Sequence, residues 1–568
     1  MDDGTDSPGS GSLLDAWARL PEEDRRLAEA AALAGRPIPL GVVARFLGGS
    51  QYDAAAAIER IEEAGLGRGD LHGLEMAAAA AAAISAESSE IGKCAALEAL
   101  GDAFVAAGVA GQDRSTVGGY FLEAGRFDEA LGLLAPAGIE AAEQEDYSRA
   151  LPVLEGALRA FAESGSVDRD LEGRLRLARA KSYRFAGRPE QAGEDAEAAA
   201  RYLTGVDAIH AHGWAAQIAS DRQRLQAAER HLAAGEYLAA TNDREAMRGS
   251  LLTLRARVLS RMGFPFEADW CLERGRALVE ARGDAAQRHR ARYNAGWIHF
   301  DRARATEAER DFAALVDAFA DAGDPGRLAD VEAWWARALF MDGRAAEARE
   351  AVDRARRHAA AANELGPVFV AGLASTEGHI RFRRGEEALA AADELLDLVL
   401  DQFAAWENVA RHHRSQALTL LGRLDEAAEE IERALASCPA GIDGWRWRLR
   451  CRVQALRTAA ARGEDWPAAA ADRLTEELLN GRWHLPAIHL LTERSVREKD
   501  RELARRAVAL AVRLGLPVEA AAAADAGGLW DEPAGVAAAA AIRHVDPPPD
   551  WEEEWSAVPF VAAARAVP

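Results

Sequence analysis

The chain has 568 residues, 28% of them charged and 49% hydrophobic, with 92 acidic against 68 basic side chains and a net charge of −24. That length holds several domains or one long repeat array. The acidic balance argues against a dedicated DNA- or RNA-binding protein, because phosphate binding needs a basic footprint.

The first residues, Met1-Asp2-Asp3-Gly4, are acidic and lack the apolar core of a signal peptide. The apolar run Met76 to Ile84 is too short to span a bilayer. A cytoplasmic protein is expected. Residues 1–12, rich in Gly, Ser and Asp, read as a disordered tail. From 13 to 91 short helical segments follow. Pro21 with Glu22 and Glu23 makes a good helix start. Gly35, Gly48 and Gly65 each follow a helical run, where a left-handed cap is wanted.

From about residue 120 the sequence repeats a turn glycine with an alanine five residues later. The copies are GRFDEA (Gly125, Ala130), GRPEQA (Gly187, Ala192), GFPFEA (Gly263, Ala268), GRAAEA (Gly343, Ala348), GEEALA (Gly385, Ala390) and GRLDEA (Gly422, Ala427). Ala150, Ala228, Ala308 and Ala504 mark degenerate copies without the glycine, and a poor one lies near Ala468. Apolar or small residues follow most of these alanines at +4 and +7, as Phe312 and Leu315 follow Ala308. Each unit reads as helix, tight turn, helix, with the alanine allowing close helix–helix approach.

These units resemble tetratricopeptide repeats, with a period longer than the minimal one. The resemblance implies an all-α fold, a right-handed α-solenoid over 161–517. The stretch EEDRRLAEAAALAGRPIPLGVVARFLG followed by AIERIEEAGL resembles the winged-helix segment of STAND-type regulators, which include the large LuxR-type and maltose-regulator-like proteins. LEALGDAFVAAG and GGYFLEAGRFDEALGLLAPAG match the passage into their repeats. The domains are then a winged-helix-like region at 13–91, a helical transition with first degenerate repeats at 92–160, the solenoid at 161–517, and a C-terminal cap with an acidic Trp-containing tail at 518–568. Neither the ATPase module nor the C-terminal helix-turn-helix of those regulators is recognisable in the chain.

The sequence carries none of the common catalytic motifs. The chain's lysines, Lys93, Lys181 and Lys499, do not sit in a Walker A motif, and HExxH and GxSxG are absent. Cys94, Cys271, Cys438 and Cys451 form no CxxC pair and read as small buried hydrophobes. His210 and His212 point to different helix faces, and His412 with His413 has no third ligand nearby in sequence. No metal and no cofactor is expected, and the chain reads as no enzyme.

The repeat resemblance places groove-facing residues about 15, 11 and 8 or 7 before the marker alanine. They are Lys181 and Arg184, Arg257 and Arg261, then Tyr293, Trp297 and Phe300, then Arg337 and Phe340, then His379 and Phe382 with Arg383 beside them, and finally His412 and Gln416. These positions hold no acidic residue. Arginine with aromatics suits an acidic peptide or helix; the aromatics serve equally as packing between helices. After Asp546-Pro547-Pro548-Pro549 come Trp551, Trp555 and Phe560 around Glu552, Glu553 and Glu554. This acidic aromatic segment either docks in a basic groove, its own or a neighbour's, or folds back on the terminal repeat, which is the preferred reading. The expected function is a protein-interaction scaffold or sensor that binds a peptide or protein partner in its concave groove, in a bacterial regulatory complex. The alternative is a transcriptional regulator touching DNA through 13–91, where Asp and Glu outnumber Arg.

Overall fold

The computed structural model describes residues 10–70, 73–362 and 364–567, and it divides into two compact units, Met1–Ser182 and Tyr183–Pro568. Most of the expected disordered tail lies outside the described residues, and Ser10 already opens a helix.

The first unit begins with α1 (Ser10–Ala18), α2 (Glu22–Ala34), α3 (Leu40–Phe46) and α4 (Gln51–Glu63). Glu22, Glu23 and Asp24 occupy the first turn of α2, and Gly35 ends it at φ 64°. Ser50 and Asp53 form a reciprocal capping box on α4. Asp24 is buried and accepts from Arg60 at 2.5 and 3.0 Å, tying α2 to α4. An antiparallel hairpin follows, β1 (Gly67–Asp70) and β2 (Gly73–Met76), and Leu74 of β2 also exchanges backbone bonds with Ile38 at 2.8 and 2.9 Å. The sequence segments read here were helical, and strands entered only through the winged-helix resemblance. Leu27, Ile38, Ile61, Leu66 and Leu74 form the centre of this unit's core. Five helices then complete it: α5 (Ala78–Glu87), α6 (Glu90–Ala106), α7 (Arg114–Glu123), α8 (Phe127–Glu143) and α9 (Tyr147–Glu163). Helix α10 (Arg169–Phe185) carries the chain onward.

The second unit opens with α11 (Pro189–Tyr202) and continues as successive hairpins. They are α12 and α13 (Gly205–Asp221, Leu225–Thr241), α14 and α15 (Glu245–Met262, Pro265–Arg282), and α16 and α17 (Ala285–Asp301, Ala305–Ala322). Next come α18 and α19 (Pro325–Asp342, Ala345–Ala362), α20 and α21 (Leu365–Arg381, Gly385–Gln402), and α22 and α23 (Glu407–Leu420, Leu424–Ala436). The last are α24 and α25 (Trp445–Ala461, Ala468–Asn480), α26 and α27 (His484–Arg497, Arg501–Arg513), and α28 and α29 (Pro517–Gly527, Pro533–Ile542). Two short helices, α30 (Glu552–Ala557) and α31 (Pro559–Arg565), close the chain. The unit is an all-α solenoid.

Within most hairpins the marker alanine, four residues past the N-cap of the second helix, is fully buried: Ala228, Ala268, Ala308, Ala348, Ala427 and Ala504. Five residues earlier the backbone is left-handed, at Gly263 with φ 88° and Gly343 with φ 88°. Hairpin α14–α15 shows how tight the pairing is. A Cβ on Gly275 would lie 2.8 Å from the Gly249 carbonyl oxygen, and one on Gly249 would lie 2.8 Å from the Gly275 carbonyl oxygen.

One marker departs from the sequence reading. In α21 the buried alanine is Ala388, whereas Ala390 is exposed, and the left-handed residue is Arg383, with φ 61°. Gly385 drew the register two residues too far. The poor copy near Ala468 likewise resolves to Ala471, fully buried in α25.

The solenoid of the second unit coils back on itself. Trp406 Nε1 donates to the Asp221 carbonyl at 2.7 Å, and Gln223 donates to Asn408 at 3.2 Å. The Asp443 carboxylate accepts from the Gln226 backbone N–H at 2.9 Å, and His484 Nδ1 meets the Arg302 carbonyl at 2.9 Å. Asp546 N–H donates to the Gly343 carbonyl at 3.0 Å. The side-chain pairs are separated by 182 to 217 residues. With markers 40 residues apart, one coil therefore takes about five hairpins.

Candidate functional site

The first helices of the hairpins turn one face towards the axis of the coil, and that face carries arginines and aromatics. Trp297, on α16, is buried, with the guanidiniums of Arg257 and Arg261 each 5.9 Å and that of Arg446 5.5 Å from its ring. Trp334 lies 5.6 Å from both Trp297 and Phe300, and Arg337 covers Trp334 and Phe300 at 4.4 and 4.5 Å. Phe340 packs on Phe382 at 6.4 Å. Tyr293 is half-buried and stands edge-on to Phe312 at 6.1 Å. Arg184 reaches Asp221 at 2.8 Å. Lys181 lies on α10, partly buried, in the first unit.

Arg257, Arg261, Trp297, Phe300, Arg337, Phe340 and His412 thus come together along the inside of the coil, but as buried residues. The adjacent coil covers them: Trp406 sits 5.5 Å from the Arg261 guanidinium, and Arg446 comes from α24. An open groove at these positions is not what the structure has. Trp297 and Trp334 act as packing between helices, one of the two readings left open by the sequence.

The inner face also holds carboxylates that the sequence register missed. With Ala388 as marker, the position 11 residues earlier is Glu377 and no longer His379. Arg337 donates to it at 2.7 and 2.9 Å, and His413 Nε2 lies 3.4 Å away. Burial works against this carboxylate, but Arg337 and His413 outweigh it and hold its pKa at about 2. Asp301, fully buried, pairs with Arg446 and lies 3.6 Å from Arg450. Arg450 is pulled down to about 10 by burial, with Glu377 opposing and Arg337 adding to the fall.

Further along the axis the lining becomes wetter. Arg381 donates to the buried Glu519 at 2.6 Å, and His489 Nε2 lies 3.8 Å from the same carboxylate. Arg383 is exposed and Arg457 is half-buried. His412 is buried, its Nδ1 has no hydrogen-bond partner among the described residues, and burial followed by the charge of His413 pushes it well below the usual imidazole range.

His379 and Phe382 have a different role. They receive the C-terminal tail. Trp551 lies 5.1 Å from His379 and 5.6 Å from Phe382, and Trp555 lies 4.7 Å from Phe382. The guanidiniums of Arg349 and Arg384 stand 5.3 and 5.1 Å from the Trp551 ring. They also pair with Asp550 and Glu554, each at 2.5 Å. The preferred reading, a fold back onto the terminal repeat, holds only for α31, which packs on α28 and α29. The tryptophans sit on hairpins α18–α19 and α20–α21, within the same chain.

Other sites are shallow. His212 and His231 approach at 3.1 Å between their Nδ1 atoms, beside a depression of about 330 Å³ lined also by Glu197, Arg201 and Arg230. Among the described residues no group of three or more His, Cys, Asp and Glu is placed to hold a metal ion. No described helix is long and apolar enough to cross a membrane.

No protein-family model and no curated protein matches the sequence. Among solved structures the chain is similar to a STAND protein with a tetratricopeptide repeat sensor from Pyrococcus horikoshii, at 12% identity and TM-score 0.36, over 88% of this chain and 68% of that one. It is also similar to the Cut9–Hcn1 hetero-tetramer of the APC/C, at 12% identity and TM-score 0.35, over 94% and 98%. A third is yeast Tom70, at 12% identity and TM-score 0.28, over 83% and 98%.

Proposed function

We propose that the chain is a non-catalytic repeat scaffold or sensor that recognises an acidic, aromatic segment of a partner protein. The observation that carries this reading is the seat of its own tail. Arg349 and Arg384 each meet a tryptophan face and a carboxylate of the segment around Trp551, while His379 and Phe382 supply the apolar floor. A surface that combines guanidinium forks with aromatic stacking selects this kind of segment in cis or in trans. A cytoplasmic regulatory complex of STAND type is the setting that the sequence resemblance suggests. The order helix, Ile38 bridge, two helices and hairpin in 22–76 supports a winged-helix-like reading of 13–91. The surplus of Asp and Glu there offers DNA no basic footprint.

The test uses the full chain carrying Trp551→Ala and Trp555→Ala, which releases the seat, and a labelled peptide of residues 546–567. The peptide should bind this variant saturably and bind the parent chain far more weakly. A peptide with Asp550→Asn and Glu554→Gln should bind about tenfold less well. Equal binding to both chains, or no effect of removing the carboxylates, overturns the reading.

A further inference from the structure

The segment between α23 and α24 brings two cysteines together. Cys438 lies just past the end of α23, half-buried, and Cys451 is buried on α24. Their thiols hydrogen-bond to each other, and Cys438 packs against the cluster of Cys451, Ile431 and Ala434. The Asn408 amide donates to the Cys438 sulfur at 3.7 Å. The connecting loop has little freedom. Arg448, on α24, donates to the carbonyls of Pro439 and Gly441, and Gly444 leaves no room for a Cβ against the Pro439 carbonyl. These contacts fasten the loop that carries Cys438 to the helix that carries Cys451.

These surroundings treat the two sulfurs in opposite ways. Cys438 receives hydrogen bonds from the Cys451 S–H and the Asn408 N–H, and the charge of Arg448 adds to them. Against burial, these hold its thiol below the usual range and favour the thiolate. Cys451 is pushed up, first by the bond that it donates to Cys438 and then by burial, so it keeps its proton. The other cysteines are placed differently. Cys271 is buried on α15 and raised to about 11, chiefly by burial. The Cys94 thiol donates to the Glu123 carbonyl at 3.4 Å. No CxxC spacing marks the pair in the sequence, because its members stand on either side of a turn.

We propose that Cys438 and Cys451 form an oxidation site, in which Cys438 reacts with a hydroperoxide and Cys451 resolves the product to an intrachain disulfide. The Cys438 thiolate, its proton already given to solvent, attacks one peroxide oxygen. The O–O bond breaks, the sulfur is oxidised to a sulfenic acid, and the departing hydroxide takes up a proton as water. The Cys451 sulfur then attacks the Cys438 sulfur. The S–S bond forms, the S–O bond breaks, and the departing hydroxide leaves as water with the Cys451 proton. With hydrogen peroxide, two thiols and one peroxide give one disulfide and two waters. A partly exposed thiolate with a protonated thiol in contact is the arrangement that such reversible chemistry needs. The site lies where the coils meet. Asn408 also accepts from Gln223 at 3.2 Å, and the same loop carries Asp443, which holds the Gln226 N–H at 2.9 Å.

The experiment treats the folded full chain with hydrogen peroxide at neutral pH and maps its peptides without reduction. The expected product is a single intrachain bond, Cys438 to Cys451, reversed by dithiothreitol, with Cys94 and Cys271 still free. This measurement needs no substitution, so it stands whether or not a variant folds. In Cys451→Ser, or Cys451→Ala if the serine variant unfolds, dimedone should trap a sulfenic acid on Cys438. Trapping there should be about tenfold or more faster than on Cys94. Cys438→Ser should leave Cys451 unreactive. In the parent chain, the rate of Cys438 alkylation by iodoacetamide should reach half its plateau below about pH 8.5, the ordinary thiol midpoint. The inference falls if peroxide gives no Cys438–Cys451 bond in the folded chain, if Cys94 is oxidised first, or if Cys438 titrates at or above the ordinary midpoint.

Discussion

Glu377 is held between Arg337 on α18 and His413 on α22, and the charge of Arg450 adds to the fall in its pKa. Removing its charge leaves the buried Arg337 guanidinium without its counter-charge. Glu377→Gln should therefore destabilise the chain by on the order of 3 kcal/mol, read from urea unfolding. The histidines near the axis set a pH dependence of definite sign. His379 and His489 fall to about 4 and His412 well below its ordinary 6.5, in each case first through burial. The unfolded chain thus binds more protons than the folded one between about pH 6.5 and 4. Stability is complete above 6.5 and is lost as the pH falls through this window, at on the order of 1 kcal/mol per histidine for each pH unit. Urea midpoints at pH 7.5 and 5 check the slope, and His489→Gln should flatten it. These roles were only partly legible in the sequence. Arg337 and His412 were found from their spacing, but Glu377 was hidden by a two-residue slip of register.

That slip belongs to the element scale. The sequence signal for a hairpin was a glycine followed by alanine, and in most copies the glycine does occupy the left-handed turn. In α20–α21 Arg383 takes that backbone position and Gly385 lies just inside the next helix. The regular step of 40 residues from Ala268 through Ala308 and Ala348 points to Ala388, and that period was the better guide. The β1–β2 hairpin left no local signal because its strands are only four residues long and glycine-rich, with no alternating apolar pattern to read. At the tightest hairpin, Gly275→Ala would set a Cβ 2.8 Å from the Gly249 carbonyl and 2.9 Å from Thr253 N. Neither backbone atom can swing away. A net loss of about 1–2 kcal/mol is expected in thermal or urea unfolding, despite alanine's better helix propensity.

At the scale of the second unit, sequence periodicity reports neighbours in the chain and nothing beyond them. The bonds between Gln223 and Asn408, or Gly343 and Asp546, join residues that no local pattern connects. They turn a one-dimensional stack into one whose coils brace each other. Trp551→Ala removes a buried anchor from hairpins far upstream and should cost about 3–5 kcal/mol. Hydrogen exchange should then show lost protection in α18 to α21 as well as in the tail, while α12 and α13 keep theirs. Loss confined to residues after 546 would mean that the coils do not brace each other.

The coil's closure also has a consequence in time. A hairpin such as α12–α13 is complete on the ribosome long before its counterpart around Asn408 exists, because the two lie 185 residues apart. At roughly 5–20 residues per second, the wait is on the order of 10–40 s. Through that interval Gln223, Gln226 and the Asp221 carbonyl face water or whatever else binds there. The early hairpins are therefore the part of this chain most dependent on synthesis speed, and pausing just before α22 prolongs the stage at which they stand open.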